Sequence, residues 1–293
     1  MNRPDVSVII ITYNGIRFIE NCVSSVLSSC ERMSAEIVVV DNCSVDSTDA
    51  LVEQKFPAVK IIKNAANYGF AHAANQGFEG CKGEFILLLN QDTRVEGNAI
   101  PNLVSRLKEN PRIGIIGPKF IGFDGKLQWS CRAFPRYRDV FYELTGLSYI
   151  FSHSRIFSYW KMGWFDHETE ISVDQPMGAA MMFRRTLLKR IGALDESFPI
   201  FFNDVDFCRR AMDHGYINLY FPAAVVEHYI GGTTRKMKPK MILESHRSMF
   251  RYFRKYNKTI LSTPGLYLTG LALFISGLFR AGYHILFRRS AGV

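Results

Sequence analysis

The sequence predicts an α/β fold in which a mostly parallel β-sheet is flanked by helices. The chain has 293 residues, of which 47% are hydrophobic, and this is enough for a substantial buried core. From residue 6 to residue 119, short β-branched runs alternate with amphipathic stretches, a pattern typical of parallel βαβ units. Residues 8–11 and 85–89 are continuously apolar, which indicates strands that are buried on both faces.

The first zone of the chain, residues 1–119, contains five predicted strands. They are residues 6–12, 36–40, 59–63, 84–89 and 113–119. Apolar residues recur at helical spacing between Ile16 and Leu27, and Asp46 or Ser47 is the expected N-cap of the next helix.

The second zone, residues 120–240, is less regular and richer in aromatic and basic side chains. We expect one strand at residues 178–183 and one helix that begins near Asp204. The third zone, residues 241–293, begins with a basic amphipathic helix at residues 241–256.

An uncharged run of 21 residues, 259–279, follows this helix. It would be about 31 Å long as a helix, enough to reach across a bilayer. Basic residues flank it on both sides, which disfavours a single span, so we expect an interfacial or re-entrant membrane anchor. A buried core helix is the alternative, because one proline and three glycines weaken a simple spanning helix: Pro264, Gly265, Gly270 and Gly277.

The net charge and the cysteine pattern limit the ligands, partners and cellular location that we expect for the protein. The net charge of +9 favours phosphate-rich ligands or an anionic membrane surface. No nucleic-acid-binding module is recognisable, so we expect no nucleic acid partner. The six cysteines lack CxxC pairing, which predicts free thiols in the cytoplasm and no structural zinc. The N-terminus lacks the pattern of a signal peptide, which also predicts a cytoplasmic protein.

Polar residues follow several of the predicted strands. Thr12, Asp41 and Asp92 come at or just after strand ends, and Asn67 follows the third strand. Taken singly, each is equally consistent with a turn or a helix cap. Together they would offer groups for a base, a ribose and a metal diphosphate, because the carboxyl ends of parallel strands share one edge.

The phosphate-binding signatures of two large classes are absent from the sequence. Neither GxGxxG nor GxxxxGK[ST] follows the first strand, which argues against dinucleotide oxidoreductases and P-loop NTPases. A carboxylate such as Asp92 can instead hold Mg²⁺ or Mn²⁺ together with diphosphate oxygens. The sequence therefore favours a nucleoside diphosphate substrate.

Six motifs occur in order along the chain: 8-VIIITYN-14, 39-VVDNCSVDST-48, 67-NYGFAHAAN-75, 87-LLLNQDT-93, 178-GAAMMFRR-185 and 202-FNDVDFC-208. With them, residues 6–235 resemble the family-2 inverting glycosyltransferases of GT-A fold, especially the bacterial rhamnosyltransferase-like branch.

The resemblance implies a role for each matching residue. Asp92 would hold the metal, Mg²⁺ or Mn²⁺, although Asn90 replaces the first acid of the family's motif. His228 would approach the metal or the diphosphate; a structural histidine is the equal alternative. The nucleotide sugar would contact Thr12, Tyr13, Asn14, Asp41, Asn67, Gly69, Phe70, Asn75, Asn90 and Gln91.

The resemblance also implies a catalytic base, Asp204, with Gly178, Ala179 and Asn203 on the acceptor side. Asn203 replaces the glutamate of the family's motif and is a candidate N-cap. The alternative for Asp204 is an acid that stabilises a helix N-terminus, and this is the reading we expect for Asp206. Residues two apart on a helix are separated by about 200°, so both cannot face the sugar.

The implied activity is inverting transfer of a sugar, L-rhamnose from dTDP-rhamnose or another hexose from a UDP- or dTDP-sugar. The expected acceptor is a saccharide or a polyprenyl-linked saccharide in cell-surface polysaccharide synthesis. The expected location is the cytoplasmic face of the inner membrane, against its inner leaflet. Two alternatives remain: a non-catalytic subunit that binds a sugar nucleotide or polysaccharide, and a nucleotidyltransferase that acts on a sugar phosphate.

Overall fold

A computed structural model describes residues 3–229, 238–257 and 263–288 of the protein. Two of the basic flanking residues, Lys258 and Arg289, and the start of the predicted uncharged run lie outside these ranges. The first half of the described chain contains β1 (Val6–Thr12), α1 (Ile19–Ser29), β2 (Ala35–Asp41), α2 (Thr48–Lys55), β3 (Lys60–Lys63), α3 (Phe70–Glu79), β4 (Phe85–Asn90), β5 (Thr93–Val95), α4 (Ala99–Glu109), β6 (Ile113–Ile121), β7 (Leu127–Gln128) and β8 (Cys131–Arg132).

The second half contains α5 (Tyr137–Leu144), α6 (Leu147–Ile150), β9 (Ile171–Ser172), β10 (Gln175–Pro176), β11 (Ala180–Arg184), α7 (Arg185–Ile191), α8 (Asn203–Asp213), β12 (Ile217–His228), α9 (Lys238–Tyr256) and α10 (Thr263–Arg288). The five strands predicted in the first zone are β1, β2, β3, β4 and β6, each within two residues of its predicted bounds.

One mixed sheet forms the centre of the molecule, in the order β3-β2-β1-β4-β11-β6-β12-β5. Strands β1 to β4 are parallel, as predicted, and β12 is parallel to β6. Strand β11 enters antiparallel to both of its neighbours. The α/β fold with flanking helices is confirmed. The sheet contains residues on both sides of residue 119, the predicted boundary between the first and second zones. The boundary therefore does not divide the fold, and a division of function at this position stays a prediction.

The two faces of the sheet carry separate apolar cores. Side chains from α1 and α4 pack on one face, with Ile10, Leu87 and Leu89 among the buried strand residues. Side chains from α3, α7 and α8 pack on the other face, against Ile9 and Ile86. Helices on both faces explain the continuously apolar strands, and they leave the strand ends as the place for polar groups.

Strand β12 was missed by the sequence analysis. Its run contains Pro222, which cannot donate to a sheet ladder and argues against a regular strand. The structure accommodates this proline at a register shift between Phe221 and Val225. The strand matters for the site because it carries His228 back to the sheet edge, where His228 pairs with Thr93 of β5.

The two C-terminal helices form an antiparallel hairpin. The predicted basic helix is α9, which begins three residues earlier than expected. Gly270 of α10 lies against the ring of Phe250, and a Cβ there would be 2.6 Å from a ring carbon. Gly270 and Gly277, which were expected to weaken this helix, therefore let it approach α9 closely. Pro264 lies in the first turn of α10, where proline is tolerated, and the helix is continuous.

Candidate active site at the carboxyl edge of the sheet

Gln91 joins the loop after β1 to the end of β4. Its Oε1 accepts a hydrogen bond of 2.9 Å from the Tyr13 amide, and its Nε2 donates to the Tyr13 carbonyl at 3.1 Å. The Thr12 hydroxyl also donates to Oε1. A Cβ on Gly15 would lie 2.0 Å from Oε1, so only glycine fits there. Gln91, predicted to contact the nucleotide, holds the backbone of Tyr13 in place.

The loops after β1 and β2 are linked around Asp41. This carboxylate is buried and accepts hydrogen bonds from the Ser44 amide, at 2.9 Å, and from the Ser44 hydroxyl. Asn14 donates its backbone N–H to Ser44 Oγ at 2.8 Å and accepts from the Val45 amide at 2.9 Å. Thr12, Tyr13, Asn14 and Asp41 are therefore brought to one place, as the sequence analysis expected.

Asn42 positions the next loop and was not singled out from the sequence. Its Nδ2 donates to Asn67 Oδ1 at 3.0 Å and to the Gly69 carbonyl at 3.1 Å, while its Oδ1 accepts from the Tyr68 amide at 3.1 Å. Gly69 has φ of +93°, and a Cβ there would lie 3.0 Å from Pro199. The signal for Asn42 was its place directly after Asp41 in the motif.

The structure places Asn75 against residues 194–196. Its Nδ2 donates to the Leu194 carbonyl at 3.0 Å and to Glu196 Oε1 at 2.9 Å, and its Oδ1 accepts from the Leu194 amide at 3.0 Å. Its side chain thus holds α3 to the segment before α8, apart from the hydrogen-bonded group around Asp41. Phe70, also predicted to contact the nucleotide, begins α3 and is half-buried.

Asp92 and His228 face each other, with 3.7 Å between Asp92 Oδ1 and His228 Nε2. Burial raises the pKa of Asp92 to about 6 and lowers the pKa of His228 to about 4. His228 is therefore neutral near pH 7. Because its Nδ1 lies 3.1 Å from Gln128 Oε1, an acceptor, the proton belongs on Nδ1 and the lone pair of Nε2 points toward Asp92.

These two groups fit a divalent cation. A carboxylate oxygen and a nitrogen lone pair that face each other repel unless a proton or a cation lies between them. Nearby in sequence, Asn90 Oδ1 is buried and has no hydrogen-bond partner among the described residues. Among the described residues, no three or more His, Cys, Asp or Glu side chains lie close enough together to hold a metal ion. A divalent cation held by Asp92 and His228 would therefore need further oxygen ligands from water or from a bound ligand.

Asp204 lies in the first turn of α8, and backbone and side-chain donors surround its carboxylate. Oδ2 accepts from Gln175 Nε2 at 2.6 Å and from the Gly178 amide at 3.1 Å; Oδ1 accepts from the Val205 amide at 2.9 Å. Burial raises the pKa of Asp204. A Cβ on Gly178 would lie 2.7 Å from Oδ2, so glycine is needed for this approach. Gln175 was not identified from the sequence.

A backbone hydrogen bond joins the segment that contains Asp92 to the segment that contacts Asp204. The Asn90 amide, at the end of β4, donates to the Ala179 carbonyl at 2.9 Å. The residue before Ala179 is Gly178, which donates to Asp204. The predicted metal residues and the predicted base thus lie on adjacent segments at the same edge of the sheet.

The structure places Asn203 as the first residue of α8 and not at its N-cap, and it places Asp206 in the first turn of the same helix. Phe202 occupies the N-cap position of α8, and Asn203 Nδ2 donates to the Ile200 carbonyl at 2.9 Å in the preceding turn. Asp206 is fully buried and accepts from Arg210 Nε at 2.8 Å. Asp206 therefore lies where an acid stabilises a helix N-terminus, as expected, and its carboxylate also pairs with Lys255 of α9.

Comparison with known proteins identifies related chains. The family model described as glycosyl transferase family 2 matches residues 7–192. An N-acetylglucosaminyl-diphospho-decaprenol L-rhamnosyltransferase of Mycobacterium tuberculosis is 24% identical over 259 residues, which cover 83% of this chain and 82% of the relative. The succinoglycan biosynthesis protein ExoO of Rhizobium meliloti is 30% identical over 125 residues, 42% of this chain and 36% of ExoO.

Solved structures of other proteins share the fold of this chain. A mannosyltransferase from Pyrobaculum calidifontis in complex with GDP-Man and Mn²⁺ has a TM-score of 0.59 at 19% identity, covering 100% of this chain and 77% of its own. The S. aureus protein TarS (residues 1–349) in complex with UDP has a TM-score of 0.56 at 17% identity, covering 98% of this chain and 73% of its own. These likenesses confirm the predicted GT-A fold.

Proposed function

The chain belongs to glycosyl transferase family 2, and from this we propose that it transfers a sugar from a nucleoside diphosphate donor to a lipid-linked saccharide, with inversion at the anomeric carbon. We further propose L-rhamnose from dTDP-rhamnose as the first donor to test, because the Mycobacterium tuberculosis relative is named for that sugar. Its name also gives N-acetylglucosaminyl-diphospho-decaprenol as the acceptor, which is our proposal for the acceptor class.

One observation carries the proposal: the hydrogen bond from the Asn90 amide to the Ala179 carbonyl, 2.9 Å long. It joins the strand that leads to Asp92 to the segment that holds Asp204. An inverting transfer needs a charged leaving group on one side of the anomeric carbon and a base on the other. This adjacency supports the two carboxylates serving one reaction centre.

In the proposed reaction, Asp204 accepts the proton of the acceptor hydroxyl. As the hydroxyl oxygen bonds to the anomeric carbon, the bond from that carbon to the diphosphate oxygen breaks, and the electron pair leaves with the nucleoside diphosphate. The raised pKa of Asp204 makes it a stronger base than an exposed aspartate. Its three hydrogen-bond donors fix its orientation, which an in-line displacement requires.

Asp92 and His228 would hold Mg²⁺ or Mn²⁺ in this scheme. The ion would neutralise the negative charge that develops on the departing diphosphate. The polar loops around Asp41 and Asn67 would bind the nucleoside. Gln91 and Asn42 would contribute indirectly, because their side-chain amides hold those loops in place.

We propose that the C-terminal helix associates with the cytoplasmic face of the membrane. Residues Thr263–Gly282 form a stretch long and apolar enough to cross a membrane, with a mean hydropathy of 1.3. In our proposal it lies on the inner leaflet instead, because one side of α10 packs on α9 through Leu266 and Leu273. The other side is exposed and apolar, with Tyr267, Leu268, Leu271, Phe274, Ile275, Leu278 and Phe279.

The test is release of nucleoside diphosphate from a panel of dTDP- and UDP-sugars, with Mn²⁺ and a short-chain polyprenyl-diphosphate-linked N-acetylglucosamine. We expect acceptor-dependent turnover with one donor, lost by at least 10²-fold in Asp204→Asn and in Asp92→Ala. Asp213→Asn, an exposed acid on the same helix, is the matched control and should retain full rate.

Two results would count against the proposal. Turnover that survives Asp204→Asn would remove the assigned base. Donor binding without turnover, with every acceptor tried, would favour a binding subunit in place of an enzyme.

A further inference from the structure

Arg132 lies on the strand next to the residue that holds Asp204. Strand β8 pairs antiparallel with β10, and Arg132 stands opposite Gln175. Directly opposed residues of an antiparallel pair have Cβ atoms about 5 Å apart and project to the same side. Since Gln175 donates to Asp204 at 2.6 Å, the Arg132 side chain belongs to the surroundings of the base.

Arg132 is half-buried, and its guanidinium has no anionic partner among the residues that the structure describes. Its Nη1 donates to the carbonyls of Cys131, at 2.9 Å, and Lys161, at 3.3 Å. Within the described ranges, it makes no ion pair to any carboxylate. Burial lowers its pKa, whereas the charges of Glu143 and Asp204 favour its protonated form from a distance. A partly desolvated cation without a close anion is unfavourable, and an anionic ligand would relieve the cost.

An exposed apolar surface begins on the far side of Lys161, the residue whose carbonyl Arg132 binds. Lys161 Nζ lies 4.4 Å from the centre of the Tyr149 ring. Tyr149 is 70% exposed, and its neighbours Ile150, Phe151 and Ile156 are 72%, 47% and 63% exposed. Exposed apolar clusters of this kind mark places where a protein meets a lipid or another apolar surface.

The Asp204 carboxylate, the Arg132 guanidinium and the exposed Tyr149 ring are connected in that order, through Gln175 and Lys161. A lipid-linked saccharide has the matching order: a sugar hydroxyl, a diphosphate and a hydrocarbon chain. The planar fork of an arginine is well suited to binding phosphate oxygens through two parallel hydrogen bonds. Lys161 does not compete for this role, because its ammonium pairs with Glu143 at 2.7 Å.

We propose that Arg132 binds the diphosphate of the lipid-linked acceptor and that the apolar surface at residues 149–156 receives the adjoining hydrocarbon. The proposal rests on the proposed function, because Asp204 marks the place of the acceptor hydroxyl. The donor also contains a diphosphate, so the experiment must separate the two sources.

Binding, measured by calorimetry without turnover, provides the test. The probes are farnesyl-diphospho-N-acetylglucosamine, octyl N-acetylglucosaminide, which has the sugar and an apolar chain but no phosphate, and dTDP with Mn²⁺. We expect Arg132→Met to weaken the farnesyl diphosphate probe by about 10- to 100-fold, the loss typical of a charge-assisted hydrogen bond. The octyl glycoside and dTDP should bind as to the wild type. Arg138→Met, an exposed arginine six residues away, is the control and should change nothing.

An equal loss of affinity for dTDP would assign Arg132 to the donor and overturn the proposal. An equal loss of affinity for both acceptor probes, or no loss for any probe, would also overturn it. If Arg132→Met does not fold, Arg132→Lys takes its place: it keeps the charge without the fork, and severalfold weaker binding of the diphosphate probe is expected. Unchanged binding there would also overturn the proposal. Because no transfer is needed, failure of every donor in the transferase assay would remove the proposed function and leave this result standing.

Discussion

The Asp204 carboxylate accepts a hydrogen bond of 2.6 Å from Gln175 Nε2, and this contact joins the start of α8 to strand β10. Two influences on the pKa of Asp204 oppose each other. Burial raises the pKa, and the hydrogen bonds from Val205, Gly178 and Gln175 lower it, but burial is the larger effect. The result is a carboxylate held rigidly in place and more basic than an exposed one.

Removing the Gln175 donor should therefore shift the pH dependence of the reaction. In Gln175→Leu the pKa of Asp204 rises further, because a hydrogen bond to the charged form is lost. A base works only when deprotonated, so the acid limb of the kcat/KM profile should move to higher pH, with about tenfold lower kcat/KM on that limb.

Two other groups act on Asp204 in this test. The Arg132 cation favours the anionic form, and the Cys208 thiol is neutral because burial raises its pKa. Neither group is altered in Gln175→Leu, so neither would cause a shift of the acid limb of the kcat/KM profile. A uniform loss of rate at every pH, with no displacement of the limb, would show that Gln175 is merely structural.

Gly178→Ala should lower kcat while leaving the fold intact. The new methyl group would lie 2.7 Å from Asp204 Oδ2 and 2.8 Å from its Cβ, so the carboxylate must move. Misplacement of a catalytic group by about 1 Å can cost on the order of 10²-fold in rate. Gly282→Ala is the matched control, because a Cβ at Gly282 meets no atom within 4 Å. Wild-type kcat in Gly178→Ala would contradict the assignment of Asp204 as the base.

The strands, and the positions of Asp92 after a strand and of Asp204 at the start of a helix, were predictable because their signals are local. Residues 6–12 read as a buried strand from their own apolar run, and Asp92 and Asp204 stand in short motifs. Gln175 and Asn42 were missed because their roles come from contacts distant in sequence: Gln175 reaches a residue 29 positions away, and Asn42 reaches Asn67, 25 positions away. A single sequence does not display such pairings.

The packing of the C-terminal helix was not predictable from the sequence for a related reason. Gly270 destabilises an isolated helix, and this effect is what the sequence displays. Its benefit appears only when α9 is in place, because the missing side chain makes room for the Phe250 ring. Tertiary packing therefore offsets the local preference.

The response to metal should distinguish Asp92 from His228. Asp92→Asn removes the carboxylate, and we expect loss of Mn²⁺-dependent activity with little recovery at high Mn²⁺. His228→Ala leaves the carboxylate, so activity should recover, with the Mn²⁺ required for half-maximal rate raised by about 10- to 100-fold. Chelation of the wild type should abolish the rate reversibly. Full activity of either variant in the presence of chelator would contradict the assigned metal site.

Membrane association should depend on the exposed side of α10. Phe274→Glu combined with Leu271→Glu places charge on a side that is apolar and open to solvent, with exposed fractions of 62% and 57%. We expect binding to vesicles rich in anionic lipid to fall at least tenfold in co-sedimentation, because the buried apolar area is lost and like charges repel. Val45→Glu, at an apolar residue 85% exposed on the loop after β2, should bind vesicles as well as the wild type does. Equal vesicle binding by the double variant would exclude α10 as the contact.

A buried charge cluster joins α8 to the C-terminal hairpin. Asp206, fully buried on α8, is 2.8 Å from Arg210 Nε, 2.5 Å from Lys255 Nζ and 2.8 Å from the Tyr256 hydroxyl, the last two on α9. Taking one member from such a cluster leaves the others desolvated without a counter-charge. The cluster therefore couples the folding of α8, which carries Asp204, to that of the hairpin.

Asp206→Ala should lower the free energy of unfolding by about 3 kcal/mol, the cost typical of a broken buried ion pair. For a chain of 293 residues, the midpoint of thermal unfolding should fall by about 5 °C. Asp213→Ala removes an exposed ion pair with Arg209 from the same helix and should cost less than about 1 kcal/mol. Lys255→Met should fall between the two, because Arg210 still neutralises Asp206. Thermal and urea unfolding of the three variants measures these differences, and an Asp206→Ala protein as stable as Asp213→Ala would mean that Lys255 and Tyr256 do not hold α9 to α8 through Asp206.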